Sequence, residues 1–121
     1  LALAVAMGLT REQYVTLLPK SVTTAISMDV AAELGGIAAL TGAIVILTGI
    51  AGNLLAETVC KVFHITDPIA KGVGIGTSAH AVGTSKALQM GEVEGAMSGL
   101  SIAVAGVLTA VLCPVFVNFI N

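Results

Sequence analysis

The chain has 121 residues, of which 56% are hydrophobic and only 10% are charged, and its mean hydropathy is +1.02. Soluble domains carry about 25% charged residues, so this composition excludes an ordinary soluble domain and indicates helices embedded in the lipid bilayer. The net charge of -2 and the scattering of the five Lys and Arg residues exclude a basic surface for nucleic acid.

The chain opens with an apolar stretch. Residues 1–9 read LALAVAMGL and contain no initiator Met, no basic segment and no cleavage pattern. They do not have the form of a signal peptide and look like the end of a membrane helix. We expect the chain to be the C-terminal fragment of a longer membrane protein.

The first helical segment is predicted to be interrupted. Thr10 is placed to cap a short helix, with Gln13 completing a capping box. Pro19 and the hydroxyl-rich residues 20–24 then disfavour helix, and a second half-helix follows over residues 25–34. The two halves together are long enough for a broken crossing of the bilayer, and a re-entrant hairpin is the alternative.

Two long apolar runs separate the polar segments. Residues 37–63 and residues 93–119 are each long enough to span the bilayer. Each run follows an interrupted helix, so the chain divides into two repeat units, residues 10–65 and 66–121, within one transmembrane domain. The sequence therefore predicts an all-α membrane bundle. Paired interrupted helices are also the best sequence pointer to a transporter binding site.

The second interrupted segment is rich in glycine and hydroxyl groups. Asp67 followed by Pro68 starts a helix that is predicted to run to about Thr77, and Thr84 is placed to cap a second half-helix over residues 85–90. The stretch between them is predicted to unwind beside protein or a water-filled cavity, because lipid cannot satisfy its backbone groups.

The two breaks supply the candidate site residues. An ionisable group within the membrane is a functional hypothesis by default, so His80 is expected to bind a ligand or a proton. Lys86 adds positive charge near a half-helix N-terminus, a place that suits an anion. Asp29 and Glu33 share one face of their half-helix and either bind a coupling ion or reach the outer interface. The predicted substrate-binding residues are Ser21, Thr23, Thr24, Thr77, Ser78, His80, Gly83, Thr84 and Lys86.

No motif indicates catalysis, a metal or a cofactor, and we expect none of the three. Residues 74–79 roughly fit a dinucleotide fingerprint, but a capped helix, not a strand, precedes them. Cys60 and Cys113 lack metal-ligand spacing, so packing is their expected role. Asn53, amid the first long span, is expected to form an interhelical hydrogen bond.

The orientation depends on whether the interrupted segments cross. If each of them crosses, Arg11, Lys61 and Lys71 fall on one side of the membrane. The turns near Gly35 and residues 91–94 then fall on the other side and carry no Lys or Arg. The positive-inside rule accordingly places the three basic residues and the C-terminus in the cytoplasm.

Two motifs resemble those of a known family. Residues 20–24, KSVTT, and residues 76–84, GTSAHAVGT, followed by residues 88–100, are similar to the LrgB/CidB family of bacterial membrane proteins. The family usually has proline where this chain has Ala25, so the first break is less rigidly set here. The resemblance implies a multi-pass protein of the bacterial cell membrane. It also implies antiholin-like control of murein hydrolases and autolysis with a smaller holin-like LrgA/CidA partner, and relatives that transport pyruvate, or glycolate and glycerate.

Two functions compete on this basis. The first is secondary transport of a small organic acid of the pyruvate and glycolate class, with the two breaks forming a midplane site. The second is an antiholin-like regulator or pore partner without a substrate site. A second copy of the chain is a further candidate partner. A saturable, substrate-selective flux would separate the two functions.

Overall fold

The computed structural model describes residues 6–118, and helices account for most of that part of the chain. They are α1 Arg11–Leu17, α2 Thr24–Glu33, α3 Ala38–Val62, α4 Pro68–Met90 and α5 Glu92–Val117. No strand occurs among the described residues, so the all-α prediction is confirmed. The start of the predicted N-terminal helix remnant, residues 1–5, and residues 119–121 lie outside the described residues.

The helices α3 and α5 are the two long apolar helices of the bundle. They contain 25 and 26 residues, and both are apolar enough to cross a bilayer. Large aliphatic side chains such as Leu54 and Val107 are exposed on them, which suits surfaces that contact lipid. The spans predicted over residues 37–63 and 93–119 are therefore confirmed as helices, which run over Ala38–Val62 and Glu92–Val117. Phe119 lies outside the described residues.

The first helix begins as its capping residues predict. The Oγ1 atom of Thr10 accepts a hydrogen bond from the backbone N–H of Gln13 at 3.3 Å, and Oε1 of Gln13 accepts one from the backbone N–H of Thr10 at 3.0 Å. The helix α1 ends at Leu17, and α2 does not begin until Thr24. The predicted break after Pro19 is confirmed.

The helices α1 and α2 form a hairpin. Leu9, which precedes α1, and Leu34, which follows α2, pack against the same cluster of Tyr14, Val15 and Val117. Both ends of the segment therefore lie together, beside the C-terminal end of α5. Of the two arrangements that the sequence left open for this segment, the structure has the hairpin.

The helix α4 also folds back on itself, at His80. The backbone of His80 has φ 41° and ψ -139°, whereas the residues on both sides are helical. Ile75 of the first arm and Ala87 of the second arm pack in one cluster, although a straight helix would hold them about 18 Å apart. Lys71 and Met90, near the two ends of α4, line the same cavity. The second interrupted segment is therefore a hairpin too.

This geometry corrects three expectations. The unwound stretch expected between Thr77 and Thr84 is reduced to His80, because a single residue with positive φ is enough to reverse the chain. Thr84 does not cap a half-helix, since its Oγ1 donates to the carbonyl oxygen of His80 at 2.9 Å. Crossing segments would place Lys71 and Glu94 at opposite ends of the bundle, but both line one cavity.

The two hairpins enter the bundle from opposite ends. The hairpin α1–α2 has its ends beside the C-terminal end of α5. The hairpin of α4 has its ends beside Glu94, in the first turn of α5. Both turns nevertheless meet the N-terminal half of α3. A Cβ built on Gly42 would lie 3.6 Å from Cγ2 of Thr24, and one built on Gly49 would lie 2.6 Å from Cε1 of His80. The fold thus brings the two breaks to one helix.

Candidate functional site at the hairpin turns

His80 forms the turn of the second hairpin and has only 2% of its surface exposed. Its Nε2 atom lies 2.9 Å from the carbonyl oxygen of Val45 on α3. Because a carbonyl oxygen only accepts, Nε2 carries the hydrogen in this contact. Positive φ at a residue other than glycine costs about 1 to 3 kcal/mol, which this hydrogen bond and the burial of the ring offset. Gly49 has no side chain, and this leaves room for the imidazole against α3.

Thr84 and Ser98 join the second arm of α4 to α5. Their hydroxyl oxygens lie 2.8 Å apart, and Thr84 Oγ1 also donates to the carbonyl oxygen of His80. Gly83 lies next to Thr84, and a Cβ there would press against Ala79 and lie 3.0 Å from Cγ2 of Ile75. Gly83 therefore serves the close packing of the two arms.

Asn53 holds the backbone just after the second turn. Its Nδ2 atom donates to the carbonyl oxygen of Val82 at 2.8 Å and to Oγ of Ser85 at 3.1 Å. The expected interhelical hydrogen bond of Asn53 is confirmed. With the His80 contact to Val45, it fixes the turn of α4 to α3 at two points.

The first turn is held by a buried hydrogen bond. Oγ of Ser27 donates to the carbonyl oxygen of Pro19 at 2.6 Å. Thr23 is the N-cap of α2, but its hydroxyl does not cap the helix. Ser21, Thr23 and Thr24 are all partly exposed at this turn.

Lys20 is a candidate that the sequence reasoning missed. It belongs to the first turn, its side chain is exposed, and its Nζ donates to Oγ of Ser21 at 2.9 Å. The signal in the sequence was a lysine inside an otherwise uncharged, hydroxyl-rich break.

Thr77 and Ser78 lie on the exposed side of the first arm of α4. Thr77 Oγ1 donates to the carbonyl oxygen of Val73 at 2.7 Å, and Ser78 Oγ donates to that of Gly74 at 2.6 Å. Such bonds to the preceding helical turn are usual for hydroxyls within a helix. Thr77 lines a cavity of about 300 Å³ between α4 and α5, and Ser78 lines another of about 300 Å³ between α3 and α4.

Lys86 is two turns away from the reversal and is already paired. Its Nζ lies 2.6 Å from Oε1 of Glu57, whose Oε2 lies 3.5 Å from Nζ of Lys61. Glu57 and Lys61 line a cavity of about 490 Å³ at the end of the bundle, together with Lys71. The structure therefore places Lys86 with the charged groups at the bundle end and not with the hydroxyl groups at the turns.

Asp29 and Glu33 lie four residues apart on the same face of α2, and both are exposed. Neither forms an ion pair within residues 6–118, where Glu57 is the paired carboxylate. No group of three or more His, Cys, Asp or Glu side chains in this part of the chain is arranged to hold a metal ion. Cys60 and Cys113 are free thiols.

The LrgB-like family model matches residues 1–119. The chain belongs to the LrgB-like family. Similar curated proteins carry the name "Antiholin-like protein LrgB" and come from Bacillus mycoides and Bacillus cereus; each is 39% identical over 118 residues. These matches cover 98% of this chain but 51% of each relative, so the chain spans about half the length of the curated relatives it matches. No solved structure gives a significant match.

Membership of the LrgB-like family agrees with the two long apolar helices of the bundle. The relatives are antiholin-like proteins by name, and α3 and α5 have the length and composition of membrane spans. This LrgB-like chain is a membrane protein.

Proposed function

We propose that this LrgB-like protein is a secondary transporter of small monocarboxylates, of the pyruvate and glycolate class, in the bacterial cell membrane. The observation that carries the proposal is the meeting of two opposed hairpin turns on the N-terminal half of α3. Thr24 lies against Gly42 and His80 lies against Val45, one turn further along. Interrupted helices that meet between membrane spans are the usual setting of a transporter site.

The length of the arms supports a site within the membrane. The first turn meets α3 at Gly42, which lies about 6 Å along that helix from Ala38. The first arm of α4, from Pro68 to the turn at His80, spans about 18 Å, which is slightly more than half the thickness of the hydrocarbon core. A substrate held between the turns would lie inside the membrane, nearer the surface at which α3 begins.

The predicted site residues divide into two roles. The partly exposed or exposed hydroxyls would contact the acid, whereas His80 and Gly83 are buried and would hold the turn in shape. Lys86, which is paired with Glu57, would act near the bundle end. Asp29 and Glu33 remain candidates for the coupling ion. The hydroxyl residues that we propose as substrate contacts are Ser21, Thr23, Thr24, Thr77, Ser78 and Thr84.

We also propose that residues 10–65 and 66–121 are inverted repeats within one transmembrane domain. Each would consist of a hairpin followed by a long span. With hairpins in place of crossings, the positive-inside rule gives a new orientation, because Lys61 and Lys71 lie together at one end of the bundle. That end would be cytoplasmic, and the C-terminus would lie outside. The cytoplasmic C-terminus expected from the sequence depended on crossing segments.

A second candidate function is antiholin-like regulation of murein hydrolases. The names of the relatives support it, and a smaller holin-like LrgA/CidA protein would then be the partner. A second copy of the chain is a further proposed partner within the bilayer. Neither candidate function is enzymatic, and we assign no catalytic residue.

Uptake measurements would test the transport proposal. Cells that express the full-length protein should take up labelled pyruvate or glycolate with saturable kinetics, and His80→Ala should raise the KM about tenfold or more, because the turn that positions the hydroxyl groups loses its hydrogen bond to Val45. Thr84→Val should raise it less, by at most about tenfold. The 121-residue chain expressed alone should give no saturable flux. A wild-type protein that moves neither acid but still alters autolysis would instead favour the antiholin-like function.

A further inference from the structure

Two cavities adjoin at the end of the bundle where α3 ends and α4 begins. The larger one, of about 490 Å³, is lined mostly by charged and polar side chains, and we call it the charged cavity. The other, of about 300 Å³, lies between α3 and α4 and is mostly apolar, and we call it the apolar groove. Cys60, Ile65 and Lys71 line both. A polar space at the bundle end therefore continues into an apolar space between two helices.

The apolar groove has the length and the setting of a site for an acyl chain. Its walls are residues of α3 between positions 52 and 60 and residues of α4 between positions 70 and 78. Eight residues of helix rise about 12 Å, and the hydrocarbon of one leaflet is about 15 Å deep. Leu55 and Val59 are exposed at its edge, which suits contact with lipid. A Cβ built on Gly74 would have no atom within 4 Å, so the groove is open there.

The charged cavity contains one cation and one carboxylate that are not paired. The ion pairs within residues 6–118 all involve Glu57, so Lys71 and Glu94 belong to none of them. Both residues line the cavity and both are half-buried. Their helices touch at this point, because a Cβ built on Gly72 would lie 3.1 Å from Cα of Glu94. A ligand with one negative and one positive group would neutralise both side chains.

We propose that the charged cavity and the apolar groove together bind a phospholipid with a phosphoethanolamine headgroup. The ammonium of Lys71 binds the phosphate, and the positive end of the α4 dipole adds to its charge. The carboxylate of Glu94 accepts hydrogen bonds from the ammonium of the headgroup, and one acyl chain lies in the apolar groove. Pockets between membrane helices at the bilayer surface are known settings for lipid headgroups.

The unpaired carboxylate decides between lipid classes. A headgroup with a phosphate alone would pair Lys71 but would leave Glu94 without a partner and place it beside a second negative charge. Phosphatidylethanolamine supplies both charges in one headgroup, so it fits the cavity better than an anionic lipid does. This lipid site lies at the bundle end and is separate from the hairpin turns, and the proposal does not depend on the transport function.

The first test measures which lipid the purified full-length protein retains. Native mass spectrometry would compare phosphatidylethanolamine, phosphatidylglycerol and phosphatidylcholine with the same acyl chains. Phosphatidylethanolamine should bind about tenfold or more tightly than the other two, because it adds a charge-assisted hydrogen bond. Phosphatidylglycerol lacks the ammonium, and the trimethylammonium of phosphatidylcholine has no hydrogen to donate. Equal binding of all three lipids would overturn the proposal.

The second test assigns the two charges to their residues. Glu94→Gln should weaken the binding of phosphatidylethanolamine about tenfold and remove its preference over phosphatidylglycerol. Lys71→Gln should weaken the binding of both lipids alike, because they share the phosphate. Glu92→Gln is the matched control, because Glu92 is in the same first turn of α5 but lines neither cavity. It should change neither affinity. A Glu94→Gln variant that keeps the preference for phosphatidylethanolamine would contradict the proposal.

The third test fills the apolar groove. Gly74→Leu should weaken the binding of phosphatidylethanolamine about tenfold, because its side chain displaces about two methylene groups of the acyl chain. Gly99→Leu is the matched control, because a Cβ built on Gly99 also has no atom within 4 Å and Gly99 lines neither cavity. It should leave the affinity unchanged. If a helix from another part of the full-length protein filled the groove instead, the wild type would retain no lipid and Gly74→Leu would lower its unfolding temperature. That result would overturn the proposal.

Discussion

The Nε2 atom of His80 lies 2.9 Å from the carbonyl oxygen of Val45, and this contact holds the turn of one hairpin against the N-terminal half of α3. The other hairpin meets α3 one turn earlier, where Thr24 lies against Gly42. A displacement of either turn would therefore act on the same part of α3. This shared helix links the two breaks mechanically, which is what a substrate site between them would require.

The strained backbone of His80 leads to a first prediction. His80→Gly and His80→Ala both lose the hydrogen bond to Val45, but only glycine adopts φ 41° without strain. His80→Gly should therefore be more stable than His80→Ala by about 1 to 3 kcal/mol. The measurement is the free energy of unfolding of the purified protein in detergent.

The control for this comparison is an alanine in a regular helix. Ala103 is exposed within α5, so Ala103→Gly should lower the free energy of unfolding by about 1 kcal/mol. Relative to alanine, glycine should then raise the free energy of unfolding at position 80 and lower it at position 103. If His80→Gly were less stable than His80→Ala, the positive φ of His80 would be contradicted.

The hydrogen bond between Thr84 and Ser98 gives a second prediction. Thr84→Val leaves the fully buried Ser98 hydroxyl without its partner, and Ser98→Ala leaves Thr84 bonded to the carbonyl oxygen of His80. Thr84→Val should therefore be the more destabilising, and a double-mutant cycle should give a coupling of about 0.5 to 1.5 kcal/mol. Ser101 is the matched control. The Ser101 hydroxyl donates to the carbonyl oxygen of Met97 in its own helix. The effects of Ser101→Ala and Thr84→Val on the free energy of unfolding should therefore add within about 0.5 kcal/mol.

Much of the helix pattern was predictable from local chemistry. The capping box of Thr10 and Gln13 and the pair Asp67 and Pro68 mark helix starts because they satisfy or remove backbone donors within a few residues. Pro19 marks the first break for an equally local reason. These signals depend on neighbours in sequence alone, and the structure has all of them where they were expected.

The reversal at His80 could not be predicted in the same way. Histidine has positive φ more often than most residues but still seldom, and the burial of its ring against Val45 and Gly49 comes from another helix. The glycines of α4 were also misleading. A Cβ on Gly76 would lie 2.9 Å from Cα of Ser98, so Gly76 permits close packing against α5 and does not unwind the backbone.

The ion pairs of Glu57 lead to a third prediction. Lys86 lies 2.6 Å from Glu57 and its side chain is 24% exposed, whereas Lys61 lies 3.5 Å away and is 79% exposed. Exposed ion pairs contribute little to the stability of the folded protein because water and salt screen the charges. Lys86→Gln should therefore lower the unfolding temperature more than Lys61→Gln does. Equal shifts for the two variants would contradict the pairing seen here.

The hairpin of α4 leads to a fourth prediction, on topology. Single cysteines at Lys71, Glu94 and Glu33 can be introduced in a background without Cys60 and Cys113 and labelled with a membrane-impermeant thiol reagent. A hairpin keeps both ends of α4 on one side, so Lys71→Cys and Glu94→Cys should react alike, and Glu33→Cys should react from the opposite side. The positive-inside rule predicts that Glu33→Cys reacts in intact cells and the other two only after permeabilisation.

The possible labelling patterns separate topology from orientation. If Lys71→Cys and Glu94→Cys reacted from opposite sides, α4 would cross the membrane and the hairpin would be wrong. If they reacted together in intact cells and Glu33→Cys only after permeabilisation, the hairpin would stand and the orientation would be reversed. Labelling therefore decides between a hairpin and a crossing whichever way the protein is inserted, because α5 separates Glu94 from the hairpin α1–α2 in both cases.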